Sequence, residues 1–455
     1  MPQIGPEKKV KSVSTLPTEP HELTASEAAA LIAARQLSVE ELTRSCLKRI
    51  AERDEAVKAW AYLSPEQAIV KGKELDKVLI HAGSLGPLHG LPFGVKDMID
   101  SGDMPTTNNS PIYASNRPTQ DAQVVRVMTA NGAFSLGKTD TVEFAAGGRK
   151  ALTRHPRDPA RTPGGSSSGS GAAVADYQVP LALGTQTGGS HIRPASFNGI
   201  YALKPTHGVV PVPGIRHFSP TLDTLGWYGR SPDDLILVAR AFRLWHIEAL
   251  PEIRVKDLKV GFTRTHNWPL AQPETHAAVE RAARLLSEAG ATVFDLDLPR
   301  TFETLNSAQK VVMQGEGRVQ FLPDYLEHFE LLHQDFRNHV ENTHQYTPEK
   351  LLEALDAGAA CRPVFDAMFG PDLDVVLTPS SVGEAPIGPS ETTGDAVMNA
   401  MWTLLHVPCV NVPGAVGPNG LPVGVTLVGP RLGDSRLLAI AKAVSPVLDP
   451  NLRMA

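Results

Sequence analysis

The chain has 455 residues, of which 42% are hydrophobic and 20% charged, a composition typical of globular proteins with ample core. The net charge of −6 argues against nucleic acid as the main partner. The cysteines are odd in number, far apart and without metal spacing, which favours a reducing compartment. No run has the length of a secretory signal or a membrane span, so we expect a cytoplasmic protein with no membrane partner and a polar leader over residues 1–22.

Helices open the chain after this leader. Three starts carry the capping-box pattern, in which a hydroxyl residue is followed three residues later by Glu or Gln. These starts are the pairs Thr24–Glu27, Ser38–Glu41 and Ser64–Gln67. The helices are amphipathic and are predicted to pack on a larger body.

Strand-like and helix-like segments then alternate. A strand leads into Lys96, a helix is predicted over 122–130, and strand, helix and strand follow over 258–299. A polar, mainly helical region spans 301–370, and strands return at 375–378, 409–412 and 423–428 before a last helix over 435–447. Such alternation favours an α/β sheet covered by helices on both faces. No composition break marks a linker, so one large domain is predicted over residues 23–455.

Two glycine-rich turns that carry serines lie within residues 161–194. The segment between them is predicted as a helix over 171–177 and a strand over 179–183, which would return both turns to one end of the sheet. Glycines allow close approach of backbone amides. The N–H groups of Thr187, Gly188, Gly189 and Ser190 are therefore predicted to stabilise a developing oxyanion.

A serine nucleophile needs a base, and Lys96 is the candidate. It ends an apolar, strand-like run, and burial lowers the pKa of a lysine toward neutrality. His191 is adjacent to Ser190, but neighbouring side chains on an extended turn diverge. No cluster of His, Cys, Asp or Glu has metal spacing, so no metal and no cofactor are predicted.

Two other interpretations of the serine stretch are weaker. Residues 165–169 match Gly-x-Ser-x-Gly with Ser167 at its centre, but that nucleophile motif follows a strand and residues 157–163 are a proline-rich loop. A flexible Gly/Ser linker would not need the apolar segments on either side of the serines.

These residues resemble the amidase signature hydrolases. Lys96 in Gly-Val-Lys-Asp, Ser166 in Gly-Gly-Ser-Ser and Ser190 in Thr-Gly-Gly-Ser are similar to the Ser-cisSer-Lys triad of that family, and the serine spacing, 190 − 166 = 24, is the family's. Further similar segments lie at 137–145, 203–206, 222–226 and 420–424. The resemblance implies a mixed, twisted central sheet, a cis peptide before Ser166, and hydrolysis of C–N bonds through an acyl-serine intermediate.

The sequence departs from the common family pattern at three places. Gln186 replaces the usual Asp, Arg193 lies one position later than usual, and Trp227 with Tyr228 replaces a Gly-Pro step. Region 301–370 is variable in the family and is predicted to form a lid over the substrate pocket. The candidate substrate-binding residues are Met98, Tyr113, Phe144, Gln186, Arg193, His217, Phe218, Trp227 and Tyr228.

An apolar wall with few charges predicts small-molecule substrates with hydrophobic or aryl amide groups, and also carbamates. Two alternatives stay open: the glutaminase subunit of a tRNA-dependent amidotransferase, and a non-catalytic relative that acts as a binding module. The resemblance is compatible with a monomer or a homodimer.

Overall fold

The computed structural model describes residues 19–448. Most of the predicted leader, residues 1–18, lies outside the described residues. Its last part, Pro20–Glu22, forms a short 3-10 helix, and the buried His21 accepts or donates a hydrogen bond at 2.8 Å to the Ser45 hydroxyl. No helix among residues 19–448 is long and apolar enough to cross a membrane.

The N-terminal helices begin where their capping residues predict. The side chains of Thr24 and Ser38 each accept from the backbone N–H three residues later. The glutamate at that later position accepts in turn from the backbone N–H of Thr24 or Ser38, so both capping boxes form. The third prediction is half wrong. The helix does begin after Ser64, but the Ser64 side chain makes no capping bond. The proline at the first helical position has a φ already suited to the helix, which favours this start without the serine's capping bond.

One sheet of eleven strands organises residues 19–448. In chain order the strands are β1 (Trp60–Leu63), β2 (Pro92–Lys96), β3 (Phe134–Thr139), β4 (Leu181–Gln186), β5 (Tyr201–Lys204), β6 (Thr224–Gly229), β7 (Lys259–Phe262), β8 (Thr292–Asp295), β9 (Val375–Pro379), β10 (Cys409–Val416) and β11 (Pro422–Val428). Their order across the sheet is β1-β3-β2-β4-β6-β5-β10-β11-β9-β7-β8.

The sheet is mixed. Strands β2, β3 and β4 are parallel, as are β7, β8 and β9, and antiparallel pairs join these two blocks. Parallel pairing of β2 with β4 sets Phe93 opposite Leu181, so the carboxyl ends of both strands lie at one edge of the sheet. That edge carries Lys96 and leads into the second glycine-rich turn.

Helices flank this sheet. They are α1 (Ala25–Ala33), α2 (Val39–Val57), α3 (Pro65–His81), α4 (Gln123–Ala130), α5 (Ser168–Ala175), α6 (Ile192–Asn198), α7 (Pro232–Ala241), α8 (Pro273–Glu288), α9 (Leu305–Gln320), α10 (Leu322–Glu327), α11 (Gln334–Val340), α12 (Pro348–Asp366), α13 (Ala400–Leu404) and α14 (Asp434–Leu448). The predicted single α/β domain is confirmed, and the polar region 301–370 contains α9 to α12.

The helix of the serine stretch begins three residues earlier than predicted. It starts at Ser168 and includes Gly169, where a Cβ atom would lie 2.2 Å from the Ala59 carbonyl oxygen. The glycine therefore serves close packing of the helix against the chain before β1. This contact places the first serine turn directly over the edge of the sheet.

Candidate active site

Lys96 is fully buried at the end of β2 and has three hydroxyl partners. Its Nζ lies 2.8 Å from the Ser166 Oγ, 3.0 Å from the Ser167 Oγ and 2.7 Å from the Thr185 Oγ1. Burial lowers the pKa of Lys96 well below its usual value, and the Asp223 carboxylate opposes part of that shift. The site therefore favours a neutral amine, the form of lysine that can accept a proton.

The hydrogen bonds around Lys96 have a defined direction. The Ser167 hydroxyl donates to the Thr185 carbonyl at 3.2 Å, and the Thr185 hydroxyl donates to the Met98 sulfur at 3.4 Å. Each hydroxyl carries one proton, so with these two bonds formed Ser167 and Thr185 accept from Lys96. A neutral amine has two N–H donors and one lone pair. The two donors are taken by Ser167 and Thr185, which leaves the lone pair for the proton of Ser166.

Ser166 is fixed by its own backbone. The Gly165–Ser166 peptide bond is cis, as the resemblance implies. The Ser166 carbonyl accepts from the Thr141 hydroxyl at 3.0 Å and from the Val142 N–H at 3.3 Å. These bonds hold the first serine turn against the loop after β3.

Arg193 stabilises the same peptide from the other side. Its buried guanidinium donates to the Gly165 carbonyl at 2.5 Å and to the Thr393 hydroxyl at 3.3 Å. Burial lowers the pKa of Arg193 to about 10, while the negative charge of Asp395 raises it. The structure thus places Arg193 behind Ser166, where it holds the backbone.

Ser190 lies in the second turn, and its hydroxyl is free. The Ser190 carbonyl accepts from the Ser167 N–H at 3.3 Å, which joins the two serine turns. Ser190 is partly exposed, and its hydroxyl makes no hydrogen bond to the part of the chain that the structure describes. No hydrogen bond within that part links it to the Ser166 side chain. A free, accessible hydroxyl in this turn can meet a carbonyl compound from solvent.

The backbone donors of this turn are also free. The N–H groups of Thr187, Gly188, Gly189 and Ser190 donate to no group within residues 19–448. The carbonyls of the turn point elsewhere, since Thr187 accepts from the Gln309 amide and Gly188 from the Thr403 hydroxyl, both at 2.8 Å. The turn therefore offers unpaired donors on one side, which is the arrangement needed to bind a negative oxygen.

Gln186 is fully buried and supports this turn from the core. Its side-chain oxygen accepts from the N–H groups of His191 and Ile192, both at 3.0 Å, at the start of α6. Its amide donates to the Thr403 hydroxyl at 3.0 Å. His191 itself is unsuited as a base, because burial lowers its pKa to about 3 and its ring faces the Trp227 carbonyl.

A buried ion pair fixes the loop that carries Met98. Lys138 in β3 lies 3.5 Å from the Asp97 carboxylate and donates to the Ile99 carbonyl at 2.6 Å. Burial lowers the pKa of Lys138 to about 8 and raises that of Asp97, and each charge opposes the shift of the other. Met98, buried between these residues, reaches the Thr185 hydroxyl and so forms part of the lysine site.

Among the remaining candidates, His217 and Phe218 are linked to the second serine turn through Asp223. The Asp223 carboxylate accepts from the Thr187 hydroxyl at 2.6 Å and lies 3.2 Å from the His217 ring. Tyr113 is partly exposed, whereas Phe144 and Phe218 are buried in an aromatic cluster with Phe321, Leu332 and Phe336. Phe144 and Phe218 therefore lie inside this cluster and are not exposed at the protein surface.

The prediction that Trp227 and Tyr228 form a pocket wall is wrong. Both are fully buried in the main core. The Trp227 ring stacks on Phe242 and donates to the Leu235 carbonyl at 3.0 Å. The Tyr228 ring stacks on His191 and its hydroxyl donates to the His191 carbonyl at 3.0 Å. They occupy central strand β6, whose two faces are both covered, so large aromatics there fill the interior.

Several residues that contact the site were not identified from the sequence. Thr185 had a usable signal, because it lies at the end of a strand that pairs with the strand of Lys96. Gln309 and Thr403 had none, because they contact the turn from helices more than 120 residues away in the chain. No group of three or more His, Cys, Asp or Glu residues among residues 19–448 could hold a metal ion.

The chain is similar to known proteins over nearly its whole length. Residues 41–438 match the Amidase family. The A subunit of the glutamyl-tRNA(Gln) amidotransferase of Chloroflexus aggregans is 32% identical over 96% of this chain and 98% of its own. The 2-amino-5-chloromuconic acid deaminase of Comamonas testosteroni is 32% identical over 94% and 96%. A crystal structure of an amidase has a TM-score of 0.84 at 27% identity and covers 94% of this chain and 100% of its own.

Proposed function

This chain belongs to the Amidase family, and we propose that it hydrolyses the C–N bonds of neutral hydrophobic or aryl amides, and of aryl carbamates, through an acyl enzyme on Ser190. The observation that carries the hydrolytic chemistry is the buried Lys96, whose Nζ lies 2.8 Å from the Ser166 hydroxyl oxygen. We further propose that the enzyme works as a monomer or homodimer, and that it works in the cytoplasm, since all three cysteines are buried free thiols.

Proton transfer starts from the directed hydrogen bonds of Lys96. Neutral Lys96 accepts the proton of Ser166, and Ser166 in turn accepts the proton of Ser190 as the Ser190 oxygen attacks the substrate carbonyl. The tetrahedral oxyanion accepts hydrogen bonds from the free N–H groups of residues 187–190. The relay then returns the proton to the leaving nitrogen, the C–N bond breaks, and water releases the acyl group from Ser190. Carbamates present the same carbonyl to the same groups.

Charge compensation around the site supports a neutral substrate. Arg216 is paired with Asp324, donates to Tyr113, and lies over the rings of Phe144 and Phe321. Asp223 is occupied by four hydrogen bonds from the turn and its own loop. A substrate with a free amino and carboxylate group would need unpaired partner charges, because burying an uncompensated charge is costly. These charges are already committed.

The aromatic cluster supports the hydrophobic part of the proposal. Phe321, Leu332 and Phe336, from the helical region 301–370, belong to the apolar body behind Tyr113. Met313 of α9 packs on this cluster as well and is partly exposed. Fully burying one aliphatic or aromatic group contributes about 1.5 to 3 kcal/mol. An aryl group held against this surface would therefore gain up to about 100-fold in binding relative to a methyl group.

A substrate panel tests the proposal. We would compare kcat/KM for an anilide, an aryl carbamate, glutamine and a short aliphatic amide, with the Ser190→Ala variant as the control for background hydrolysis. We expect the two aryl compounds to be preferred. Glutamine as the best substrate would refute the proposed specificity, and turnover that survives in Ser190→Ala would refute the nucleophile.

The glutaminase subunit of an amidotransferase is the second candidate. It is favoured by the 32% identity to the amidotransferase A subunit, which extends over nearly the whole of both chains. That function predicts weak activity of the purified chain alone and a preference for glutamine. Full activity of the isolated chain on anilides would exclude it. A folded wild-type chain that turns over none of the panel substrates would favour the third alternative, a non-catalytic relative that acts as a binding module.

A further inference from the structure

Gln186 has a side-chain orientation that its surroundings dictate. Two backbone N–H groups, those of His191 and Ile192, face one end of the amide at 3.0 Å, and an N–H can only donate. The oxygen of Gln186 must therefore face α6, and its NH2 group must face Thr403. The residue is fully buried, so bulk solvent does not compete for these groups.

The Gln186 amide decides the direction of the next hydrogen bond. The Thr403 hydroxyl accepts from Gln186 at 3.0 Å, so its own proton is free for another acceptor. The Gly188 carbonyl lies 2.8 Å away and the Asn399 carbonyl 3.3 Å away, so the shorter bond goes to Gly188. A chain of two directed bonds thus runs from Gln186 through Thr403 to the second serine turn.

This chain fixes a peptide plane at the reacting end of the turn. In a trans peptide the C=O and the following N–H point in opposite directions. Holding the Gly188 carbonyl toward Thr403 therefore turns the Gly189 N–H to the opposite side, where it makes no bond within residues 19–448. The Gln309 amide holds the Thr187 carbonyl in the same manner and fixes the Gly188 N–H.

We propose that Gln186 and Thr403 are positioning residues that orient the oxyanion-binding N–H of Gly189; the inference rests on the proposed hydrolysis at Ser190. It predicts that an acid at position 186 would not replace the glutamine. A carboxylate could accept from His191 and Ile192 but could not donate to Thr403. The Thr403 proton would then turn to the carboxylate, and the Gly188 carbonyl would lose its partner.

Three variants separate the parts of this arrangement. Gln186→Glu keeps the shape and the acceptor and, when ionised, removes the donor. Thr403→Val keeps the volume but removes the hydroxyl, and Thr403→Ser keeps the hydroxyl. Thr43→Val is the matched control, because the buried Thr43 hydroxyl donates to the Val39 carbonyl at 2.7 Å in α2. Thermal unfolding of every variant reports whether it is folded.

The readouts are kcat and KM for an anilide at pH 8, and the affinity for an aryl boronic acid. In the bound boronate the Ser190 oxygen is bonded to boron and the anionic oxygen lies on the turn. We expect Gln186→Glu and Thr403→Val to lower kcat by about 10- to 100-fold, less than the full loss of an oxyanion donor, with little change in KM. Boronate affinity should fall in parallel. Thr403→Ser should keep kcat and boronate affinity near their wild-type values. In the Gln186→Glu/Thr403→Val double variant, kcat and boronate affinity should fall no further than in either single variant.

Several results would overturn the inference. Wild-type kcat and boronate affinity in Thr403→Val would show that the hydroxyl does not orient the turn. Additive losses in the double variant would show that the two residues act separately, and an equal loss in Thr43→Val would assign the effect to general stability. If Thr403→Val does not fold, Gln186→Glu and Thr403→Ser still decide the question. Failure of the proposed function is distinct, since the wild type would then neither turn over the panel nor bind the boronate.

Discussion

The Thr185→Val substitution tests the directed hydrogen bonds around Lys96. Valine has nearly the volume of threonine but offers no acceptor to the Lys96 Nζ, which now lies 2.7 Å from the Thr185 hydroxyl. Two acceptors then remain for the two N–H groups of the neutral amine, namely Ser167 and Ser166. The amine then donates one N–H to Ser167 and the other to Ser166, and its lone pair turns toward the introduced valine side chain. Lys96 is then badly oriented to take the Ser166 proton.

The magnitude follows from the cost of restoring the productive orientation. Turning the lone pair back to Ser166 leaves one buried N–H of Lys96 unpaired, at a cost of about 1 to 3 kcal/mol. The plateau of kcat/KM should therefore fall by about 5- to 150-fold. The pKa moves as well. The protonated amine loses one of its three hydrogen-bond acceptors, whereas the neutral amine loses one of two used acceptors and can reorient, so the charged form is penalised more.

The assay is the pH profile of kcat/KM for an anilide. Only neutral Lys96 is active, so the rate rises with pH through the Lys96 pKa, which burial has already lowered. In Thr185→Val we expect a lower plateau with a midpoint displaced to lower pH, and in Thr185→Ser a return of both toward wild type. Thr426→Val is the control, because it removes a buried hydroxyl on β11 that is hydrogen-bonded to Ser380. A midpoint displaced to higher pH, or an unchanged plateau, would refute the reasoning.

Three further predictions concern the relay, the core and the helical region. Ser190→Ala should abolish turnover, whereas Ser166→Ala and Lys96→Ala should each retain a trace of turnover because the N–H donors survive. Full activity in Ser166→Ala together with no activity in Ser167→Ala would show that the relay uses Ser167. Trp227→Phe should lower the free energy of unfolding by about 1 to 3 kcal/mol, because the smaller ring leaves a cavity in the core and the Leu235 carbonyl loses one of its donors. It should leave the substrate ranking unchanged in the kinetic panel. Asp324→Asn should lower the free energy of unfolding by about 3 kcal/mol in denaturant titrations, because Arg216 loses its carboxylate partner. Glu327→Gln, on the exposed face of the same helix, should have little effect, and equal losses in the two variants would contradict this.

The sequence predicted the architecture well because the signals involved are local. Capping residues mark where α1 and α2 begin, and the continuous apolar runs before Lys96 and around Leu181 mark strands of the buried sheet. Hydrogen bonds of a cap or a strand end lie within a few residues along the chain. The same local rule failed at Ser64, where the start of the helix was right and the capping bond was not.

The error at Trp227 and Tyr228 has a different cause. Adjacent residues of a strand point to opposite faces of the sheet, and here both faces are covered. The sequence shows that two large aromatics stand side by side, but not whether either face opens into a cleft. The position of β6 between β4 and β5, in the middle of eleven strands, answers that question.

By itself, the sequence determined the elements, the single α/β domain and the residue types available for chemistry at Lys96, Ser166 and Ser190. Only the tertiary structure decided how these groups are oriented. Thr403 reaches Gln186 across 217 residues and Gly188 across 215, and no periodicity or motif encodes such a contact. A hydrogen bond depends on distance and direction within a few tenths of an ångström, and those are set when α13 packs beside the end of β4.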